Sequence, residues 1–147
     1  GEGARSGSIG ELRRLVKRCD EAAMLATISP TGTLHARPMM LQDPDELAGC
    51  DLWLVTHEAT PKVQEIRREQ QVCLCCRCSA DHSYLSISAA ARANRDRGAV
   101  EKLWRPAWQA WFPAGASDPG ITLLELTVER ADLWDATGAS RAIVSGR

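Results

Sequence analysis

Residues 24–41 read MLATISPTGTLHARPMML and set the architecture of the chain. The central run Ser29-Pro30-Thr31-Gly32 is typical of a turn, because proline and glycine favour the backbone angles that reverse a chain. Residues 24–28 and 33–41 on either side are rich in apolar side chains. We therefore predict two antiparallel strands joined by a short turn.

The rest of the chain continues this pattern of short strands and adds few helices. Apolar or alternating runs predict further strands at residues 51–56, 72–78, 83–93, 121–128 and 131–135. Helical spacing predicts one helix capped by Ser8, two that begin at Pro61 and Arg97, and a short one after Pro106. Short strands in hairpins predict a mainly β fold, an antiparallel barrel with short flanking helices.

Length and composition are those of one ordinary globular domain. The chain has 147 residues, of which 44% are hydrophobic and 25% charged. We place the domain at residues 8–136 and expect flexible termini at 1–7 and 137–147. The net charge of −1, without a basic block, argues against nucleic acid as a partner. The sequence contains neither the ~20 apolar residues of a membrane helix nor the apolar core of a signal peptide, so we expect a cytoplasmic protein.

Four of the six cysteines lie in the run Cys73-Leu74-Cys75-Cys76-Arg77-Cys78. Because side chains alternate along a strand, Cys73 and Cys75 are expected on one face and Cys76 and Cys78 on the other. Thiolates on opposite faces do not converge on one metal ion. We therefore expect reduced, structural cysteines and no metal site.

Two basic residues are suited to hold a phosphate. Thr60-Pro61-Lys62 is typical of a helix start, where threonine is a good N-cap and proline is favoured at the first position. A helix start presents free N–H groups and the positive end of the helix dipole, and Lys62 adds a full charge. Arg37, near the end of a strand, supplies a planar guanidinium that binds phosphate through paired hydrogen bonds. Taken alone, both residues are equally compatible with ordinary surface positions.

Aromatic side chains are concentrated in one segment. Residues 103–119 contain Trp104, Trp108 and Trp111, three of the five tryptophans, and the only phenylalanine, Phe112. One interpretation is a surface for a flat ligand. The other is a hydrophobic plug under the last strands, since tryptophan is highly buried on average.

These motifs form an ordered set with several others. Residues 26–32, 35–39, 52–56 and 60–62 are followed by Tyr84-Leu85-Ser86-Ile87-Ser88, Asp96-Arg97, Leu103-Trp104, Trp111-Phe112-Pro113, Asp118-Pro119 and Trp134-Asp135. Over residues 12–136 this ordered set resembles the pyridoxamine 5'-phosphate oxidase-like split-barrel flavoproteins, in particular their general stress protein branch.

The resemblance implies a homodimer that binds FMN non-covalently at the subunit interface, with FAD as an alternative. It implies that Arg37 and Lys62 hold the FMN phosphate, and that Trp111 and Phe112 reach the isoalloxazine ring from the partner chain. Ser83 and Tyr84 are weaker candidates for the site. The remaining contacts implied along the flavin are Pro38, Met39, Met40, Val55, Thr56 and Pro61.

The chain departs from the pattern of these flavoproteins at two places. Gln70-Gln71 stands where relatives commonly have an Asn-Pro turn, and Ala89 stands where they often have glycine. The added methyl group of Ala89 affects a position where backbone passes close to its neighbours. Neither departure affects Arg37 or Lys62.

The resemblance implies a flavin-dependent oxidoreductase, because a bound flavin carries out redox chemistry. Two alternatives stay open: a non-catalytic flavin-binding or flavin-sensing stress protein, and a relative that binds haem or a deazaflavin. The sequence has no nucleophile elbow, paired-histidine motif or Walker loop. We interpret His57, beside the predicted site, as a solvated histidine.

Overall fold

The computed structural model describes the backbone of residues 2–145 and the side chains of residues 7–145. Within these residues the chain forms seven antiparallel strands in one sheet and three α-helices. The predicted mainly β, antiparallel fold with flanking helices is therefore confirmed. None of the described helices is long and apolar enough to cross a membrane.

The elements follow the predicted order closely. The strands are β1 (Ala22–Ile28), β2 (Leu34–Met40), β3 (Leu52–His57), β4 (Gln71–Cys78), β5 (Ser83–Asn94), β6 (Ile121–Trp134) and β7 (Ser140–Val144). The helices are α1 (Glu2–Arg18), α2 (Pro61–Arg68) and α3 (Arg97–Leu103), with 3-10 turns at Pro44–Glu46 and Pro106–Ala110.

The sheet is open between two edge strands. Its order is β2-β1-β4-β5-β6-β3, with β7 added beside β6. The first hairpin pairs β1 and β2 in a register that places Leu25 opposite Arg37. Since β2 and β3 are the two ends of this order, the barrel is split between them.

Two apolar clusters fill the interior. The larger one lies under the sheet and includes fully buried Leu12 of α1, Leu25 of β1 and Leu74 of β4. The smaller one is rich in aromatics and packs Trp53 of β3 against Trp108. It supports β3 from the side of the aromatic segment.

The two strands predicted at residues 121–128 and 131–135 are one continuous strand, β6. Its pairing with β5 shifts register between Ser88 and Ala89. A bulge of this kind bends a strand and lets it continue past the irregularity. The first half of β6 pairs with β3 and the second half with β7.

Both termini contain more regular structure than the sequence indicated. The backbone of residues 2–7 is part of α1, so the helix does not begin at a Ser8 cap. Within the expected flexible tail, β7 pairs with β6 and buries Ile143 and Val144. Burial of these two apolar side chains stabilises the packing of the tail against the sheet. Gly1 and residues 146–147 lie outside the described residues.

The cysteine run alternates as predicted, but not all six cysteines are reduced. Cys73 and Cys75 lie on one face of β4, with Cys76 and Cys78 buried on the other. Cys78 forms a disulfide with Cys19, with 4.0 Å between their Cα atoms, so the prediction is wrong for this pair. The end of α1 meets the end of β4 here, and no local sequence pattern indicates that contact. Burial raises the pKa of the Cys76 thiol to about 12.

Candidate functional site

A cavity of about 280 Å³ lies in the split between β2 and β3. One side is the edge of β2, and the other is β3 with the loop that leads into α2. The aromatic segment covers one end. The wall is mostly apolar, and its residues are Pro38, Met39, Met40, Val55, Thr56, His57, Thr60, Trp111 and Phe112.

The structure brings most of the predicted site residues to this cavity. Of the sequence-derived set, it places these on the wall: Pro38, Met39, Met40, Val55, Thr56, Trp111 and Phe112. Three further predicted residues adjoin the wall without being part of it. Arg37 directly precedes Pro38 in the chain, and Pro61 directly follows Thr60. The side chain of Lys62 contacts Thr56. Ser83 is separate: it lies at the start of β5, opposite Cys78, and donates to Asp81 Oδ1 at 2.6 Å.

Lys62 stands at the edge of the cavity with its charge half-buried. Its Nζ donates to Thr56 Oγ1 at 3.1 Å, which fixes the ammonium beside a wall residue. Burial, and after it the positive charge of Arg37, hold the pKa of Lys62 below that of a free lysine. The two cations therefore lie close enough to repel each other, and an anion between them would relieve that repulsion.

Hydrogen bonds to β1 and α2 fix the Arg37 guanidinium and leave some of its N–H groups unused. Its Nη1 donates to Leu25 O at 3.1 Å and to Thr27 Oγ1 at 2.7 Å. Its Nη2 makes a longer contact, 3.4 Å, with Oε1 of Glu65 on α2. Since a guanidinium has five N–H groups, these bonds within the described residues leave Nε and one Nη2 hydrogen for a ligand.

The start of α2 differs in one respect from the sequence interpretation. Thr60 occupies the N-cap position, but its side chain makes no cap hydrogen bond. Its hydroxyl instead donates back to His57 O at 2.8 Å. The first N–H groups of the helix are therefore not occupied by the threonine side chain.

The aromatic segment serves as both plug and wall. Trp108 is 1% exposed and packs against Trp53 and Trp104, as a plug would. Trp111 is 46% exposed and faces the cavity, with Phe112 buried beneath it at 6.5 Å in an edge-on contact. The chain itself brings both residues to the cavity, whereas the resemblance implied that they come from a partner chain.

The sequence placed His57 beside the site, but its contacts were not predictable, because Asp118 and Phe112 are distant in the chain. Its Nδ1 accepts from the Ala59 N–H at 3.1 Å, so its Nε2 carries the ring proton and donates to Asp118 Oδ1 at 3.3 Å. The ring also stacks on Phe112 with centroids 6.3 Å apart. The Gly120 N–H, and then His57, hold the pKa of Asp118 below its ordinary value. His57 is therefore held in the wall by these contacts, while its side chain stays 37% exposed.

We expect Gly120→Ala to lower stability by about 1–3 kcal/mol, the usual cost of overpacking. A Cβ at this position would stand 2.2 Å from Cε1 and Nε2 of His57, so the ring would have to leave its place against Phe112. Thermal melts measure the effect. Gly98→Ala, in helix α3, is the matched control: its Cβ would meet only Asp96 Oδ2, at an ordinary contact distance of 3.4 Å, so it should not destabilise the chain. Equal melting of both variants would contradict the packing described for His57.

An antiparallel barrel split between β2 and β3, with an aromatic-walled cavity and two cations at the split, defines the split-barrel class. Residues 8–146 match the family model of pyridoxamine 5'-phosphate oxidase-like proteins, and the chain belongs to that family. No curated protein matches the chain.

Several solved structures have the same fold. A Clostridium acetobutylicum protein related to general stress protein 26 is 21% identical, over 91% of this chain and 92% of its own, with a TM-score of 0.74. The general stress FMN/FAD binding protein of Xanthomonas citri is 25% identical, over 92% of each chain, with a TM-score of 0.69. A general stress family protein of Xanthomonas campestris is 26% identical, over 87% of this chain and 86% of its own, with a TM-score of 0.67.

Proposed function

We propose that this chain is a flavin-binding protein of the general stress type. In this proposal FMN, or less favourably FAD, places its ring in the cavity between β2 and β3 and its phosphate on Arg37 and Lys62. One observation carries the proposal: an apolar cavity with an exposed tryptophan adjoins two cations that retain unused donors. The similar Xanthomonas citri protein, described as FMN/FAD binding, supports it.

The chemistry of the residues fits a flavin phosphate better than haem. Guanidinium and ammonium groups bind phosphate by charge-assisted hydrogen bonds. The common axial ligands of haem are histidine, cysteine or tyrosine, with methionine as a second ligand beside histidine, and of the first three only His57 stands on the described cavity wall. Both of its ring nitrogens are engaged, one by Asp118 and one by the Ala59 N–H.

We also propose that the chain acts as a homodimer. Pockets that enclose a ligand of drug size have volumes of about 300–1,000 Å³, so a cavity of about 280 Å³ in one chain encloses only part of FMN. A second copy would supply the missing cover.

The outer sheet face is the surface that we assign to the second copy. Strand register and alternation place these uncharged residues on one face: Ala22, Met24, Ala26, Ile28, Leu34, Ala36, Pro38, Met40, Cys73, Cys75, Ser86 and Ser88. The charged residues Arg77, Arg130 and Asp132 lie on the same face and border this set. Leu34 is 72% exposed and Met24 43%. Exposed apolar patches of this kind mark interaction sites. Because Pro38 and Met40 also line the cavity, a copy on this face would lie beside the ligand.

A bound flavin would supply hydride or electron transfer, and we propose that the chain is a flavin-dependent oxidoreductase. The exposed side of Trp111 leaves the cavity accessible to a second reactant. The alternative is a protein that stores or senses flavin without turnover. The expected cytoplasmic location stays a prediction, favoured by the free thiols of Cys50, Cys73, Cys75 and Cys76 and opposed by the Cys19–Cys78 bond.

Titration with FMN, followed by flavin absorption and fluorescence, tests the proposal. We expect stoichiometric binding, sedimentation of the complex as a dimer, and faster oxidation of a nicotinamide donor than free FMN gives. Binding without faster oxidation would favour the store or sensor. Binding of haem or a deazaflavin in place of FMN, or of none of them, would contradict the flavin assignment.

Alkaline pH should weaken phosphate binding through Lys62. Burial, and after it Arg37, hold the pKa of Lys62 in the free protein below that of a free lysine, and a bound phosphate would raise this pKa again. Above the pKa of the free protein, binding therefore takes up a proton. The affinity for FMN relative to riboflavin, which lacks the phosphate, should therefore fall as pH rises through that value. The ratio cancels any ionisation of the flavin ring. Lys62→Arg should hold the ratio constant over the same range, and a constant ratio in the unaltered protein would contradict this role.

A further inference from the structure

Glu65 places a buried carboxylate beside Arg37, one of the two cations of the proposed phosphate site. It lies on the inward face of α2, three residues after Lys62, and is 7% exposed. A carboxylate is rarely buried to this degree unless it is paired. Sequence reasoning did not single it out, and the proposed function does not yet use it.

The carboxylate is bound to Arg37 both directly and through a hydroxyl. Thr27 Oγ1 donates to Glu65 Oε1 at 2.6 Å and accepts from Arg37 Nη1 at 2.7 Å. Arg37 Nη2 lies 3.4 Å from the same Oε1. The other oxygen, Oε2, is 3.8 Å from His35 Nδ1. These contacts tie Glu65 to the guanidinium that would receive the phosphate.

This arrangement changes the charge that the site presents to an anion. Two cations and one carboxylate leave a single net positive charge while His35 is neutral. The phosphate of FMN is a monoester and carries up to two negative charges at neutral pH. In FAD the same phosphate is joined through an anhydride to a second phosphate, and each of the two carries one negative charge. A nearby carboxylate therefore penalises the phosphate of FMN more than that of FAD.

We propose that Glu65 is a specificity residue of the phosphate site, which lowers its preference for a dianionic monoester and so reduces the discrimination between FMN and FAD. The inference rests on the proposed flavin binding. The competing explanation is purely structural: Glu65 only holds Arg37 in place. The specificity role and the structural role predict different affinities, because a purely structural role does not depend on the charge of the ligand.

Glu65→Gln separates charge from shape, since the amide oxygen can still accept from Thr27 and Arg37. We expect about threefold to tenfold tighter binding of FMN, a smaller gain for FAD and no change for riboflavin. Thr27→Val is the converse variant: it breaks the hydroxyl bridge and keeps the carboxylate, so it should leave the FMN-to-FAD ratio unchanged. Glu101→Gln, exposed on α3, controls for the overall change in charge.

The affinities of FMN, FAD and riboflavin are measured by flavin fluorescence at one ionic strength. If Glu65→Gln does not fold, Glu65→Met provides a second neutral side chain of similar length, and its ratio is read instead. An unchanged FMN-to-FAD ratio, or equal weakening of all three ligands, would overturn the specificity role and leave flavin binding intact. Failure of the unaltered protein to bind any of the three would instead overturn the proposed function.

Discussion

Replacing Lys62 or Arg37 with alanine should raise the dissociation constant of FMN about tenfold or more, and replacing both should raise it by about a hundredfold. A charge-assisted hydrogen bond contributes about 1.5–3 kcal/mol, and about 1.4 kcal/mol corresponds to a factor of ten. Lys62→Ala is the cleaner variant, because Lys62 bonds only to Thr56 among the described side chains. Arg37→Ala also leaves Glu65 without its cation, so its stability must be measured separately.

Fluorescence titration of each variant with FMN and with riboflavin measures this effect. Riboflavin lacks the phosphate, so its affinity should stay close to that of the unaltered protein in Lys62→Ala. Lys102→Ala removes an exposed lysine of α3 and serves as the matched control for lost charge. Unchanged FMN affinity in both Lys62→Ala and Arg37→Ala would remove the phosphate assignment.

Trp108→Ala should produce the largest loss of stability in the aromatic segment, about 3–5 kcal/mol. The side chain is 1% exposed and contacts the rings of Trp53, Trp104 and Phe112 at centroid distances of 5.8–6.5 Å. Its removal leaves a void that the surrounding rings cannot fill. For a chain of this size we expect the melting temperature to fall by roughly 10 °C.

Trp108→Phe is the control that keeps most of the volume. The indole N–H of Trp108 has no hydrogen-bond partner among the described residues, so phenylalanine removes an unsatisfied donor together with part of the ring. It should therefore destabilise the chain much less than alanine does. Similar melting temperatures for the alanine variant and the unaltered protein would contradict the assignment of Trp108 to the core.

In contrast to Trp108→Ala, Trp111→Ala should weaken flavin binding and leave the stability of the free protein nearly unchanged. Its ring is 46% exposed and lies on the cavity wall, so its removal should change the melting temperature little. Loss of a stacking partner should weaken flavin binding by about 0.5–1.5 kcal/mol. A large loss of stability in the free protein, with flavin affinity unchanged, would show that Trp111 acts as core.

Local sequence signals predicted the elements whose causes are local. The turn at residues 29–32 and the proline at the start of α2 both act within a few residues, and both elements form where expected. The course of β6 past residue 129 depends on its pairing with β5 instead. Strand β7 depends on its pairing with β6, and its short run of apolar residues shows no period.

The part of the cavity wall formed by β2 and β3 was predictable, because the motifs on these two strands are visible in the sequence in their expected order. The hydrogen bonds of His57 and Glu65 were not, because their partners Asp118 and Thr27 lie 61 and 38 residues away. The sequence marks such residues only as a histidine and a helical glutamate. Their burial and their hydrogen bonds exist only after the barrel has formed.

A crystal structure of the chain grown with FMN is the most direct test of flavin binding at the split. We predict the isoalloxazine ring between β2 and β3, in contact with Trp111, and the phosphate within hydrogen-bonding distance of Arg37 and Lys62. A flavin bound at another surface, or a phosphate that contacts neither Arg37 nor Lys62, would contradict it.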